Sequence, residues 1–254
     1  MSSIGARFWS YAAPSKAFVL AGKLTPWCLG AALLLTLSGL YVGFFVAPTD
    51  HQQGEAYRII FVHVPAAWLS MLIYLAMAFW SILGWTLNTR ASALMARALA
   101  PTGAGFTFLA LWTGALWGKP TWGTWWVWDA RLTSELILLF LYIGFMALQA
   151  AIDDPAKGDR AGAVLALVGA VNVPIIYFSV KWWNTLHQGA SISFKAAPTM
   201  ASTMLLGMLL CALGLWAYAI GVSLFRLRTL ILDRERDAGW VHQLTAPHAQ
   251  EANA

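Results

Sequence analysis

The sequence has few charged side chains. Only 11% of its 254 residues are charged, whereas 59% are hydrophobic. A soluble globular domain carries roughly 25% charged residues, so the composition predicts a chain surrounded mainly by lipid. The net charge of +5 does not indicate a nucleic-acid partner, because the basic residues lie in loops and tails and form no single patch.

Cysteine is also scarce, and several enzyme motifs are missing. Cys28 and Cys211 stand alone in apolar runs, and the sequence has no C-x-x-C, no Cys/His zinc spacing and no C-x-x-C-H haem-attachment site. This excludes a disulfide framework, a zinc site and a c-type cytochrome. The stretch GALWGKP (114–120) is not an ATP loop, because it has three residues before Gly-Lys and then proline. We therefore predict that the chain is not an enzyme.

Long apolar segments predict an all-α integral membrane protein. A helix needs about 20 apolar residues to cross a bilayer. Six segments qualify: about 24–46, 59–86, 99–117, 131–151, 162–180 and 201–225. Pro174 stands in the middle of the fifth segment beside Asn172, so we expect a kink there.

The distribution of Lys and Arg predicts that both termini are cytoplasmic. One side of the predicted membrane has eleven of the sixteen basic residues: Arg7, Lys16, Lys23, Arg90, Arg97, Lys157, Arg160, Arg226, Arg228, Arg234 and Arg236. The other side has Arg58, Lys119, Arg131, Lys181 and Lys195. We expect a cytoplasmic arm (1–23), a six-helix membrane domain (24–225) and a basic, partly disordered cytoplasmic tail (226–254). The loops near 47–58, 118–130 and 181–200 then face the bacterial periplasm.

Three of the five histidines map to the outward side. His63 lies about one turn into the second segment, and His187 lies in the last outward loop. A single histidine near a helix end is more often a hydrogen-bonded interface residue than a metal ligand. Two imidazoles at one membrane depth, however, could ligate one metal centre. His51 stands in the polar loop PTDHQQGE, where we expect it to be solvated.

Five tryptophans crowd the outward-facing connection between the third and fourth predicted spans, residues 117–131. They are Trp117, Trp122, Trp125, Trp126 and Trp128. Tryptophan collects at membrane interfaces, but a belt spreads its rings around the protein. If this connection is helical, Trp122, Trp125, Trp126 and Asp129 share one face, which predicts an interfacial helix with an aromatic platform.

Such a platform, with paired imidazoles and nearby cations, suits haem. Indoles can stack on the macrocycle, imidazoles can ligate iron, and basic side chains can bind the propionates. Arg58, Lys119 and Arg131 are candidates for the propionates, although a role as topological anchor or as partner of Asp129 or Glu135 is at least as strong an alternative. Arg131 is also spaced to pair with Glu135, an acid about one turn inside an apolar segment, where an ionisable side chain needs a partner.

The outward segments resemble a known family. WGTWWVWDARLTSELILLFLYIGF (122–145) is similar to the tryptophan-rich WWD motif of the haem-handling proteins of cytochrome c maturation. YRIIFVHVPAAW (57–68) and VNVPIIYFSVKWWNTLHQGAS (171–191) resemble the haem exporter protein C family, the smallest in that group. The similarity covers about residues 40 to 200.

The resemblance implies a function. In that family the protein holds haem b at the periplasmic face of the inner membrane, between the WWD segment and two axial histidines. It passes haem to a periplasmic haem chaperone (cytochrome c maturation protein E), and it works with an ABC transporter (ATPase and permease subunits) and a small single-span subunit. By position, His63 and His187 would be the axial ligands. The WWD contacts would be Trp117, Trp122, Trp125, Trp126, Trp128, Asp129 and Arg131.

Two other functions stay open at this stage. A cytochrome b-like electron carrier usually has haems at more than one depth, yet no predicted span has a histidine in its inner half. A transporter subunit without haem would use its tryptophans only as lipid anchors.

Overall fold

Long helices make up most of the structure, a computed structural model that describes residues 12–187 and 198–245. A five-residue π-helix (Val42–Val46) continues the first helix, and a 3-10 turn (Glu55–Ile59) leads into the second. The helices are α1 (Pro14–Tyr41), α2 (Ile60–Thr86), α3 (Arg90–Trp122), α4 (Ala130–Ala151), α5 (Pro155–Ala170), α6 (Asn172–Trp182), α7 (Ser202–Arg234) and α8 (Gly239–Thr245).

Six helical segments of the described chain are long and apolar enough to cross a membrane. The first span is α1 together with the π-helix, and the second is the 3-10 turn together with α2. The third and fourth spans are α3 and α4, the fifth is formed by α5 and α6 together, and the sixth is α7. No strand occurs in the described residues. The prediction of an all-α membrane protein with six spans is therefore confirmed.

The helices extend beyond the apolar segments that the sequence indicated. α1 begins at Pro14, ten residues before the predicted start, and α7 continues to Arg234. α3 likewise spans 90–122 rather than 99–117. Hydropathy marks only the part of a helix that suits hydrocarbon, whereas backbone hydrogen bonds continue the helix into the polar interface.

The predicted arm and tail are therefore partly helical. Their boundaries, at residues 23 and 226, fall inside α1 and α7. The short helix α8 occupies part of the segment that we expected to be disordered, and Trp240 packs on Phe18 with ring centroids 5.8 Å apart. The ends of both segments, 1–11 and 246–254, lie outside the described residues, as does Lys195 in 188–197.

The fifth span is broken where the sequence predicted a kink. α5 ends at Ala170 and α6 begins at Asn172, with Pro174 in the first turn of α6. Proline has no N–H to bond the carbonyl four residues earlier. The Asn172 side chain donates a hydrogen bond of 2.8 Å to the carbonyl of Ser134 and so connects the break to α4.

The core lies where α2, α3, α4 and α5 meet. Tyr74 and Tyr142 contact edge to face with ring centroids 4.9 Å apart, and the Tyr142 hydroxyl donates to the Ser70 carbonyl at 2.8 Å. Gly103 and Gly169 make room for these rings, because an added Cβ would lie 2.2 Å from Tyr142 and 2.1 Å from Tyr74. This packing brings the start of α2, the end of α3, the start of α4 and the end of α6 together at one end of the bundle.

Candidate haem site at one end of the bundle

His63 and His187 line the same small cavity. They are 124 positions apart in the sequence, one in the first turn of α2 and the other just after α6. The cavity is enclosed by His63, Ala67, Ala110, Leu111, Arg131, Leu132, Glu135 and His187. It has room for about one water molecule. Four of its walls are polar side chains, which is unusual for a space inside a membrane protein.

His63 is held by the last turns of α3. Its Nδ1 lies 3.0 Å from the Thr113 hydroxyl oxygen, and its ring meets Trp117 edge to face at 5.6 Å. The Trp117 indole N–H in turn donates to Gln53 at 2.7 Å. Sequence reasoning identified Trp117 but missed Thr113 and Gln53. The i, i+4 spacing of Thr113 and Trp117 is a signal that could have placed both on the His63 side of α3.

His187 is held by contacts with the tryptophan segment. Its ring centroid lies 5.1 Å from that of Trp122, and its Nδ1 lies 3.8 Å from Asp129 Oδ2. That distance is too long for a hydrogen bond. Burial and the Arg131 cation lower the pKa of His187 to about 4, with Asp129 acting in the opposite direction. The imidazole is therefore neutral at physiological pH, as a metal ligand must be.

Asp129 links this contact to the start of α4. Its Oδ1 accepts the Leu132 backbone N–H at 2.8 Å, which makes it the N-cap of the helix. Its Oδ2 is buried and has no hydrogen-bond partner among the described residues, and the same is true of His187 Nδ1. One carboxylate thus caps α4 with one oxygen and faces His187 with the other.

The expected interfacial helix does not form, so that prediction is wrong. α3 ends at Trp122, Gly123 adopts a left-handed φ of 78°, and residues 123–129 are not helical. A left-handed glycine after a helix is a common stop signal. Trp122, Trp125, Trp126 and Asp129 therefore do not share a helical face.

The five tryptophans differ in exposure. Trp125 and Trp128 are exposed, at 55% and 76%, whereas Trp117, Trp122 and Trp126 are half-buried. The Trp126 N–H is buried without a hydrogen-bond partner in the described chain. Two of the half-buried rings contact the histidines directly, Trp117 at His63 and Trp122 at His187.

Arg131 and Glu135 both face the cavity but form no ion pair with each other in the described residues. Arg131 instead donates to the Ile176 carbonyl at 2.9 Å and so joins α4 to α6. Glu135 is buried, and its Oε1 has no hydrogen-bond partner in the described part of the chain. The helical spacing that made a pair available is overridden by a tertiary contact.

Arg58 does not line the cavity. Its guanidinium pairs with Glu55 and donates to the carbonyls of Gly43 and Ala47, so it holds the 3-10 turn against the end of the first span. Lys119 is exposed, donates to the Gly123 carbonyl at 3.1 Å, and lies 5.9 Å from the Trp125 ring. His51 is exposed, as expected for a solvated side chain.

The residues around the cavity have the chemistry that haem requires. Two imidazoles can be axial ligands while the macrocycle supplies the other nitrogens, indole rings adjoin both histidines, and Arg131 is a nearby cation. The buried polar atoms of His187, Asp129 and Glu135 that lack partners are available to a ligand or to water.

Sequence comparisons agree with the earlier resemblance and extend it along the chain. The sequence model of heme exporter protein C matches residues 7–242. Heme exporter protein C of Escherichia coli K12 is 47% identical over 237 residues, which cover 92% of this chain and 94% of that protein. The Haemophilus influenzae protein of the same name is 45% identical over 234 residues (92% and 95%), and that of Bradyrhizobium diazoefficiens is 46% identical over 221 residues (87% and 84%). With such a match along nearly its whole length, the chain belongs to the heme exporter protein C family.

Proposed function

We propose that this chain binds haem b at the periplasmic face of the bacterial inner membrane and delivers it to a periplasmic haem chaperone during c-type cytochrome maturation. His63 and His187 are the axial ligands. The observation that carries the proposal is that two histidines from distant parts of the sequence line one cavity. The relatives' name, heme exporter protein C, supports the choice of haem over another ligand.

Some neighbouring residues hold the two histidines in place, and others offer aromatic surface to haem, the chaperone or lipid. Trp117 and Asp129 support the two histidines from behind, since each contacts one imidazole and another part of the chain. Trp122 and Trp126 supply half-buried aromatic surface for the macrocycle. The exposed rings of Trp125 and Trp128 are free to contact the chaperone or lipid.

Arg131 is the better candidate for a propionate among the predicted cations. It borders the cavity, whereas the donors of Arg58 are engaged with Glu55 and two carbonyls. A propionate carboxylate would pair with the guanidinium more strongly than the present carbonyl does.

Haem binding requires the site to open. The cavity has room for about one water molecule, far less than a porphyrin needs. His187 lies on a non-helical segment after α6, whereas His63 lies within α2. We infer that His187 is the ligand that moves.

The chain works within a larger export complex in this proposal. Its partners are the ATPase and permease subunits of an ABC transporter and a small single-span subunit. It has no phosphate-binding loop of its own in the sequence, so ATP hydrolysis belongs to the ATPase. The chain itself holds and presents haem.

The test is spectroscopic. The purified protein should carry haem with a low-spin spectrum, and this should be lost in the His63→Ala, His187→Ala double variant. The exposed His51→Ala substitution is the matched control and should leave the spectrum unchanged. Haem-loaded protein, but not the double variant, should bind the haem-free chaperone. A double variant that retained full haem and a low-spin spectrum would contradict the proposal.

A further inference from the structure

Thr113 contacts His63 in a way that restricts the protonation of the imidazole. The Thr113 hydroxyl lies 2.6 Å from the Leu109 carbonyl, one helical turn earlier in α3. A carbonyl can only accept a hydrogen bond, so the single hydroxyl proton of Thr113 is directed to Leu109. The threonine oxygen is then left as an acceptor on its other side.

That acceptor faces Nδ1 of His63 at 3.0 Å. The proton in this second bond must therefore come from the imidazole, which places it on Nδ1. In a neutral imidazole one nitrogen carries the proton and the other keeps its lone pair. The result is an unprotonated Nε2, which is the form that ligates a metal.

The backbone of α3 allows this arrangement. Gly114 follows Thr113, and a Cβ at that position would lie 3.1 Å from Cε1 of His63. The imidazole therefore packs close to the helix, with Trp117 against its edge at 5.6 Å. These contacts hold the ring plane while the Thr113 hydroxyl selects the tautomer.

We propose that Thr113 is a positioning residue that fixes the Nδ1-protonated tautomer of His63, so that Nε2 is the nitrogen presented to haem iron. This inference rests on the proposed ligand role of His63. Hydrogen bonds from the second nitrogen of a ligating histidine typically change metal affinity 10–100-fold when they are removed. Thr113 would act through His63 and not on the iron itself.

Two substitutions at Thr113 separate the hydroxyl from the shape of the side chain. Thr113→Val keeps the size but removes the acceptor, and Thr113→Ser keeps the acceptor. Thr107→Val is a matched control, because the Thr107 hydroxyl makes the same kind of bond to Gly103 (2.8 Å) in the same helix. General damage to α3 would affect both valine variants, whereas loss of tautomer control affects only Thr113→Val.

The first measurement uses haem-free protein. Nitrogen-15 NMR of histidine-labelled protein in nanodiscs, with the His63 signals assigned from His63→Ala, reports which nitrogen carries the proton. We expect Nδ1 protonation in the wild type, in Thr113→Ser and in Thr107→Val, and a shift towards Nε2 protonation in Thr113→Val. Nε2 protonation in the wild type would overturn the proposal by itself, even if Thr113→Val failed to fold.

The second measurement uses haem-loaded protein. The low-spin haem retained per chain should fall roughly tenfold in Thr113→Val and return in Thr113→Ser. Full retention in Thr113→Val, when His63→Ala loses its low-spin haem, would overturn the role of Thr113 and leave the ligand assignment intact. Full retention in His63→Ala would instead overturn the ligand assignment, and the inference with it.

Discussion

Asp129 Oδ2 lies 3.8 Å from His187 Nδ1, while Oδ1 of the same carboxylate caps α4. The start of a membrane helix and the position of a proposed haem ligand therefore depend on one side chain. A second acidic side chain, Glu135, lies six residues further along the chain and lines the cavity that His187 also lines. The N-cap hydrogen bond to Leu132 thus holds the Asp129 carboxylate in the position from which it faces His187.

The two roles of Asp129 can be separated by substitution. Asp129→Asn should keep the N-cap but remove the charge that faces His187, so we expect near-normal thermal stability and roughly tenfold less haem per chain. Asp129→Ala should in addition lose the cap, at a cost of about 1 kcal/mol of folding free energy. Haem assay and thermal unfolding, measured on the same preparations, check both. Normal haem content in Asp129→Asn would contradict the role at His187.

The pH dependence of haem retention should follow the depressed pKa of His187. Its pKa is about 4 in the folded chain, against roughly 6.5 for an unperturbed histidine. The unfolded chain therefore binds a proton that the folded chain does not, and stability falls as pH decreases through the interval between these values. We expect the low-spin spectrum to persist from about pH 8 to about pH 5 and to be lost below.

Substitution of Arg131 should shift the pH at which haem is lost. Its positive charge is one cause of the low pKa of His187. Arg131→Gln should therefore raise that pKa and move the acid loss of haem to higher pH. Soret absorbance during acid titration measures the midpoint in both proteins. A wild-type midpoint near the ordinary histidine pKa would contradict the depressed value.

The tryptophans should separate into two groups on substitution. Trp117→Ala removes the ring against His63 and the bond to Gln53, so we expect loss of thermal stability and of haem. Trp125→Ala and Trp128→Ala remove exposed rings and should leave stability within about 0.5 kcal/mol of wild type. We expect the haem-loaded Trp125→Ala and Trp128→Ala proteins to bind the chaperone more weakly than the wild type does.

Trp85→Ala is the control for the tryptophan series. Trp85 is 49% exposed and lies at the opposite end of α2 from His63. It should change neither haem content nor chaperone binding. If Trp125→Ala and Trp128→Ala were indistinguishable from Trp85→Ala in chaperone binding, the exposed rings would be lipid anchors only.

Arg58 should behave as a structural residue. Arg58→Ala removes the pair with Glu55 and leaves the Gly43 and Ala47 carbonyls without this donor, so thermal stability should fall by about 1–3 kcal/mol. The fraction that remains folded should bind haem with normal stoichiometry. Glu55→Gln removes only the ion pair with Arg58, so it should lower thermal stability less than Arg58→Ala does. A haem deficit in fully folded Arg58→Ala would restore the propionate role predicted from the sequence.

The orientation can be tested by cysteine labelling. In a variant without Cys28 and Cys211, single cysteines at Gln52 and Thr124 should react with a membrane-impermeant maleimide added to intact spheroplasts. Cysteines at Asn88 and Asp153 should react only after lysis. Labelling of all four positions with the opposite pattern would place the histidines on the cytoplasmic side and contradict the proposed periplasmic hand-over.

The number of spans, the break near Pro174 and the choice of His63 and His187 followed from the sequence. Hydrocarbon requires about 20 apolar residues per helix, and proline lacks an N–H, so the number of spans and the break depend on local composition. The choice of His63 and His187 as candidate ligands rested instead on their predicted outward position and on the family resemblance. The helix ends were less predictable. Backbone hydrogen bonds extend α1 to Pro14 and α7 to Arg234 although hydropathy declines there.

Only the tertiary structure decided how the site is assembled. The sequence predicted a helical tryptophan platform, but Gly123 ends α3 and the rings divide between buried supports and exposed surface. It paired Arg131 with Glu135 by helical spacing, but the Ile176 carbonyl binds Arg131. The Thr113 contact with His63 joins residues 50 positions apart. Periodicity reports which residues share a face of one helix, whereas contacts between helices depend on how several faces pack at once.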